Sequence, residues 1–120
     1  MLDRAKADAV FAAAGIQRRG VYVFSTEPAT DGATAYSRLL GTGGIEDPAT
    51  GSAAGPAGSF MAKYGFVLPE RAAGIVFLQG VLVRRPSRIH VKIGMTGAEV
   101  TSVKVGGGAV VVGEGTMIPA

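Results

Sequence analysis

The run Gly44-Ile45-Glu46-Asp47-Pro48-Ala49-Thr50-Gly51-Ser52-Ala53-Ala54 constrains this chain more than any other. Two acids, a proline, a hydroxyl and a glycine stand directly before a stretch rich in Ala, Gly and Met. Proline and short polar residues interrupt a strand and suit a helix entry, so the sequence predicts a helix over residues 50–64, closed by Gly65. Such a helix aims its unpaired N–H groups, and the positive end of its dipole, at whatever lies beside the acids. That arrangement can hold a small anion next to a carboxylate able to move a proton. The same residues also fit a plain capped turn, in which Thr50 or Ser52 satisfies the helix amides and Glu46 and Asp47 are merely solvated. Pro56 complicates the helix, because it cannot donate to the carbonyl of Ser52. The helix therefore opens with a distorted turn or begins nearer Gly55. Gly51, Gly55 and Gly58 serve either flexibility or close packing.

A chain of 120 residues supports one domain, 1–120, with a modest core. Hydrophobic residues make up 48% and aromatics only 7%, with 19 glycines, so the core is built from small side chains and closely approaching backbones. This hydrophobic share excludes a disordered chain. No apolar run reaches the ~18 residues of a membrane span, and no membrane partner is expected. The N-terminus reads as a charged helix start rather than a secretion signal, so a cytoplasmic protein is expected. With no Cys and one His there is no disulfide framework, no thiolate chemistry and no expected metal site. The net charge is +3, and the only dense basic points are Arg18-Arg19 and Arg84-Arg85 with Arg88. These points are short, lack interleaved aromatics and fit no nucleic-acid module, so no nucleic-acid partner is expected.

Along the chain, residues 2–14 carry an apolar helical face and end at Gly15. Residues 20–25 are dense in β formers and residues 33–40 alternate moderately; both read as strands, separated by turn chemistry over 27–32. A bend at Gly41, Gly43 and Gly44 leads into the central motif. Residues 74–83 read as one bent strand or two, with Gly80 at the bend. Residues 88–93 alternate with Ile89, Val91 and Ile93 inward and Arg88, His90 and Lys92 outward. Strands are also expected over 100–105 and, after the turn Gly106-Gly107-Gly108, over 109–113. The pattern predicts an α+β domain in which a curved, mostly antiparallel sheet, an incomplete barrel, wraps around the central helix.

Several chemistries fall away. No Gly-Lys-Ser/Thr follows a glycine-rich turn, and Gly41-x-Gly43-Gly44 lacks the third glycine of a dinucleotide fingerprint. His90 reads as a surface residue. Ser52 has no histidine near it in sequence to activate it as a nucleophile. Gln79-Gly80 fits either a side-chain amide near a site or a strand bend. What remains is Asp47 beside the helix start, with Gly51 permitting close backbone approach and the Ser52 hydroxyl adding a hydrogen bond.

Glu46-Asp47-Pro48-Ala49-Thr50-Gly51-Ser52-Ala53 resembles the signature of the PhzF-like (phenazine-biosynthesis-like) isomerases, a family with the diaminopimelate-epimerase fold. Tyr36-Ser37-Arg38, Phe77-Leu78-Gln79-Gly80, Arg85-Pro86-Ser87-Arg88-Ile89 and Val105-Gly106-Gly107-Gly108-Ala109-Val110 match in order and spacing. The resemblance implies a site between two such domains, with proton transfer that uses no metal or organic cofactor. It assigns the acidic role to Asp47 and substrate contacts to Gly51 and Ser52, with Thr50 and Glu46 as further candidates. Family members are about twice this length, and this chain resembles their C-terminal domain. The N-terminal domain, with the glutamate taken as the main base, has no counterpart in it. Three readings are therefore open. Two copies pair about a two-fold axis and complete a site for a small carboxylate-bearing molecule; the chain is a non-catalytic remnant that binds small anions; or it is half of a split isomerase joined by a separate N-terminal-domain chain.

Overall fold

The computed structural model describes residues 3–17, 20–27, 30–41 and 46–118. Arg18-Arg19, Gly43, Gly44 and Ile45, named above, lie outside them, as do Leu2 and Pro28 within the ranges read as a helix and a turn. Helix α1 spans Arg4–Ala13, and Asp3 caps it by accepting from the Lys6 amide at 3.2 Å. Its apolar face buries no residue, so the predicted helix forms without the packing its pattern suggested. Strands β1 (Val21–Ser25) and β2 (Ala35–Leu40) pair antiparallel. Helix α2 (Gly51–Lys63) then crosses to β3 (Ile75–Gln79), which lies parallel to β2. Strands β4 (Ser87–Thr96) and β5 (Glu99–Gly106) complete the sheet in antiparallel pairs, in the order β1-β2-β3-β4-β5. One crossover in an otherwise antiparallel, curled half-barrel is the predicted α+β architecture. No helix of the described residues is long and apolar enough to cross a membrane.

Strand β4 follows its alternation: Ile89, Val91 and Ile93 are buried while Arg88, His90 and Lys92 are exposed. Phe77, Met61, Ile75 and Val91 form the centre of the core. Phe24 meets Phe60, Phe66 and Phe77 edge-on or nearly so, with centroids 5.8–6.2 Å apart, and ties β1 to α2 and β3.

Two expected strands do not form. Residues 81–84 turn instead of extending β3, because Gly80 takes φ +79° and Arg84 takes φ +57°, which closes a loop with Arg85 N–H donating to the Gly80 carbonyl at 3.0 Å. Residues 109–113 lie outside the sheet and are exposed. Their β-forming composition has no neighbouring edge to pair with.

Helix α2 begins at Gly51 and not at Gly55, and Pro56 sits within it on an exposed face. The carbonyl that Pro56 leaves without a helical donor belongs to Ser52, an exposed residue in the first turn. At the other end Gly65 adopts φ +73°, and the Phe66 amide reaches back to the Met61 carbonyl at 2.9 Å, the Schellman pattern that glycine allows. The inner glycines serve packing. A Cβ on Gly58 would stand 2.8 Å from Val91 Cγ1, and one on Gly55 would stand 3.2 Å from side-chain carbons of Val103 and Val105. The absent side chains let α2 settle directly on β4 and β5. Gly58→Ala should therefore lower unfolding free energy by about 1–3 kcal/mol in urea titrations, as overpacking does. Gly74→Ala, whose methyl would meet open space, should stay within about 0.5 kcal/mol.

Candidate functional site

Because β2 and β3 run parallel, β3 ends at Gln79 beside Ser37, midway along β2, which continues in the same direction to Leu40. Helix α2 starts above the end of β3, where open α/β crossovers leave a crevice. The turn 46–50 lies there, and one side chain from each of these strands holds it.

Gln79 is the first. Its side chain is fully buried, and every polar atom of it is used. Nε2 donates to the Asp47 carbonyl at 2.7 Å and to Thr50 Oγ1 at 2.8 Å, while Oε1 accepts from the Thr50 amide at 3.1 Å. One backbone acceptor and one backbone donor fix which way the amide points. Thr50 Oγ1 must then accept from Gln79, so its own proton goes to Asp47 Oδ2, at 2.9 Å. The other carboxylate oxygen, Oδ1, accepts from the Ala49 amide at 3.2 Å, an Asx-type turn. A buried amide thus orients the aspartate through a relay that passes through Thr50. Gly80 completes the seat. A Cβ there would stand 2.8 Å from the Pro48 carbonyl oxygen and 3.0 Å from its Cα, so only a glycine lets the turn rest on the end of β3.

Arg38 is the second. From β2 its Nε and Nη2 donate to the two Glu46 oxygens at 3.0 and 2.7 Å, a fork-to-fork pair. The Glu46 side chain is only 13% exposed. The hydrogen bonds from Arg38 outweigh partial burial and hold the Glu46 carboxyl below the ordinary glutamate value. Glu46 is thereby spoken for as an anchor of the turn.

The start of α2 has no side-chain cap: Thr50 occupies the cap position, but its hydroxyl is turned to Asp47. Its carbonyl accepts from the Ala53 and Ala54 amides at 3.2 and 3.0 Å. The amides of Gly51 and Ser52 precede these and have no intrahelical acceptor, and both residues are exposed. The plain capped turn is therefore not what forms. Asp47, Thr50, Gly51 and Ser52 gather on one turn, with Glu46 at its base. Beside that turn a hollow of about 620 Å3 is lined by Ala49, Ser87, Arg88, His90 and Gly106–Gly108. Among the described residues, no cluster of three His, Asp or Glu comes together that could hold a metal ion.

Sequence reasoning left Gln79 undecided and named Arg38 only as part of a similar stretch. The available signal was a lone amide at the end of Ile75-Val76-Phe77-Leu78, since a buried amide must find partners.

A half-barrel sheet curled around a helix, with the helix start opening beside an acid, is the domain type of the diaminopimelate-epimerase-like fold. The chain belongs to the phenazine biosynthesis-like (PhzC-PhzF) family, whose model matches residues 2–115. It is 40% identical over 76 residues to a trans-2,3-dihydro-3-hydroxyanthranilate isomerase of Pseudomonas fluorescens, a match covering 63% of this chain and 27% of that protein. It is 35% identical over 100 residues to an uncharacterized isomerase of Mesorhizobium japonicum, covering 80% of this chain and 32% of that protein. The chain thus spans roughly a third or less of the length of these relatives.

Two outcomes follow from the geometry. Gln79→Leu strands the Thr50 amide and the Asp47 carbonyl, and should cost about 2–4 kcal/mol by urea titration, as buried unpaired groups do. The Arg38–Glu46 pair should stabilise the fold fully above the ordinary glutamate range, about pH 4.3. That stabilisation should fade as pH falls further, through the lowered folded-state value, because the lowered value means the unfolded chain binds the proton more readily. The stability gap between wild type and Glu46→Gln, measured at stepped pH, should shrink in that window and stay flat from pH 5 to 7.

Proposed function

We propose that this chain forms one wall of a proton-transfer site, in which Asp47 gives or takes a proton on a small carboxylate-bearing substrate. The amides of Gly51 and Ser52, with the Ser52 hydroxyl, hold the substrate carboxylate at the positive end of α2. Thr50 orients Asp47, and Glu46 anchors the turn through Arg38. The observation that carries this reading is the uncapped, exposed start of α2 on the same turn as an aspartate fixed through Gln79. The family's isomerase membership agrees with it, as does the substrate named for the Pseudomonas relatives, a carboxylate-bearing ring. Isomerisation conserves atoms, since a proton removed from one carbon returns to another. An aspartate and an anion site supply that chemistry with no metal or organic cofactor.

One wall alone leaves the reaction open to water, which weakens every charge interaction in it. A second copy, related by a two-fold axis, supplies the other wall in this reading. A separate N-terminal-domain chain is the other way to supply it. The exposure of Gly51 and Ser52 in a single chain also favours a second reading, a binding module for small carboxylates without turnover.

Deuterium incorporation from D2O into small amino and hydroxy acids, followed by NMR, separates the two. The isomerase reading expects exchange that drops about 100-fold or more in Asp47→Asn, the usual scale of a general acid–base group. Exchange equal in both proteins would overturn the role of Asp47. Absent exchange, with thermal stabilisation by the same acids, would leave the binding module.

A further inference from the structure

The outer face of the sheet, turned away from α2, carries positive charge that the core does not explain. Strand β4 presents Arg88, His90 and Lys92 in its exposed alternate positions. The register sets Lys104 of β5 directly opposite Lys92 and Gly106 opposite His90. Like charges directly opposed across a sheet repel each other. Among the described residues no acid pairs with Lys92, Lys104, His90 or Arg88. Arg88 donates to the Asp31 carbonyl at 2.7 Å, which holds the guanidinium but leaves its charge unmatched.

Arg88 and His90 wall the hollow of about 620 Å3 beside the 46–50 turn, and no acid is among its lining residues. The neighbouring hollow that Arg88 also borders does contain one, Asp31. A cleft lined by a single sign of charge concentrates ions of the other sign. The far wall is Gly106–Gly108. A Cβ on Gly106 or Gly108 would meet nothing within 4 Å, and neither glycine has a positive φ. Neither packing nor backbone angle therefore demands glycine there. A side chain at 106 would stand beside His90 and occupy the hollow.

The hollow also lies close to the open start of α2. Ala49, on its rim, donates its amide to Asp47 Oδ1 and precedes Gly51 by two residues, at most about 7 Å of chain. From the other side, a Cβ on Gly51 would lie 3.7 Å from Cγ1 of Val105, the residue before Gly106. One small molecule can reach both places.

We infer that the substrate carries a phosphate as well as a carboxylate, and that this hollow receives the phosphate. The inference rests on the reading of Asp47 and the α2 start given above and names the substrate class for that site. The carboxylate takes the Gly51 and Ser52 amides, and the phosphate takes the Arg88 guanidinium and the His90 imidazole. Lys92 and Lys104 stand behind them and strengthen the field. A phosphate matches this surplus better than a second carboxylate does, because it brings about −1.5 to −2 charge and three acceptor oxygens.

Amide NMR titrations at constant ionic strength, with phosphoserine, serine, glutamate and inorganic phosphate, test this without requiring turnover. Phosphoserine should bind about tenfold or more tightly than serine or phosphate alone, and should shift the amides of Gly51, Ser52, His90 and Gly106 together. Serine should shift Gly51 and Ser52 only. The advantage of phosphoserine should be lost in the Arg88→Met, His90→Val double variant, whose new side chains suit an exposed strand; if that variant does not fold, the shifts in the wild-type chain decide. Phosphoserine shifts confined to Gly51 and Ser52 would overturn the inference and leave the anion site of α2 standing. Shifts at neither place would overturn both. Glutamate binding as tightly as phosphoserine would overturn the choice of phosphate.

Discussion

The buried side-chain amide of Gln79 is the interaction on which the site depends. It reaches across 32 residues of sequence to the Asp47 carbonyl and across 29 to Thr50. No local propensity would hold the turn 46–50 in this shape. Without Gln79, the Thr50 hydroxyl would be free to do what threonine at a cap position ordinarily does, which is to accept from the helix amides. With it, that hydroxyl is committed to Asp47 and the helix start is left open. The cost of an uncapped helix, about 1 kcal/mol, is offset by the hydrogen bonds of the buried amide. Exposed first-turn amides are therefore a consequence of how the turn is anchored, and not a flaw in the helix.

The topology explains why one residue can do this. Strands β2 and β3 are the parallel pair in an otherwise antiparallel sheet. Parallel neighbours run toward the same side of the sheet, and here the end of β3 supplies Gln79 while the stretch of β2 just past it supplies Arg38. The crossover that makes them parallel is α2 itself, which must lie close to the sheet for its start to meet these residues. Gly55 and Gly58 permit that approach, by leaving Val91, Val103 and Val105 nothing to collide with. Small residues in the helix and polar residues on the two strands thus serve one arrangement, the first by distance and the second by direction.

Much of the fold was legible because it rests on local chemistry. The alternation of Ile89, Val91 and Ile93 and the glycine closing α2 each follow from near neighbours. The motif at 46–53 was legible as a helix entry for the same reason, and its similarity to a known family extended that to a domain type. What escaped depended on distant partners. The end of β3 at Gln79 follows from the positive φ of Gly80 and Arg84 and the loop that Arg85 closes back on Gly80, which no periodicity encodes. The strand expected over 109–113 has the right composition, but a strand requires a neighbour as well as a propensity. The choice of Thr50 between helix and aspartate was open in the sequence, and a side chain 29 residues away decided it.

Backbone and side-chain amide exchange, followed residue by residue by NMR, tests the central claim directly. Both Nε2 protons of Gln79 should be well separated and protected, while the Gly51 and Ser52 amides should exchange with solvent as readily as an exposed loop. Protected Gly51 and Ser52 amides, or a Gln79 side chain exchanging like a surface glutamine, would contradict it.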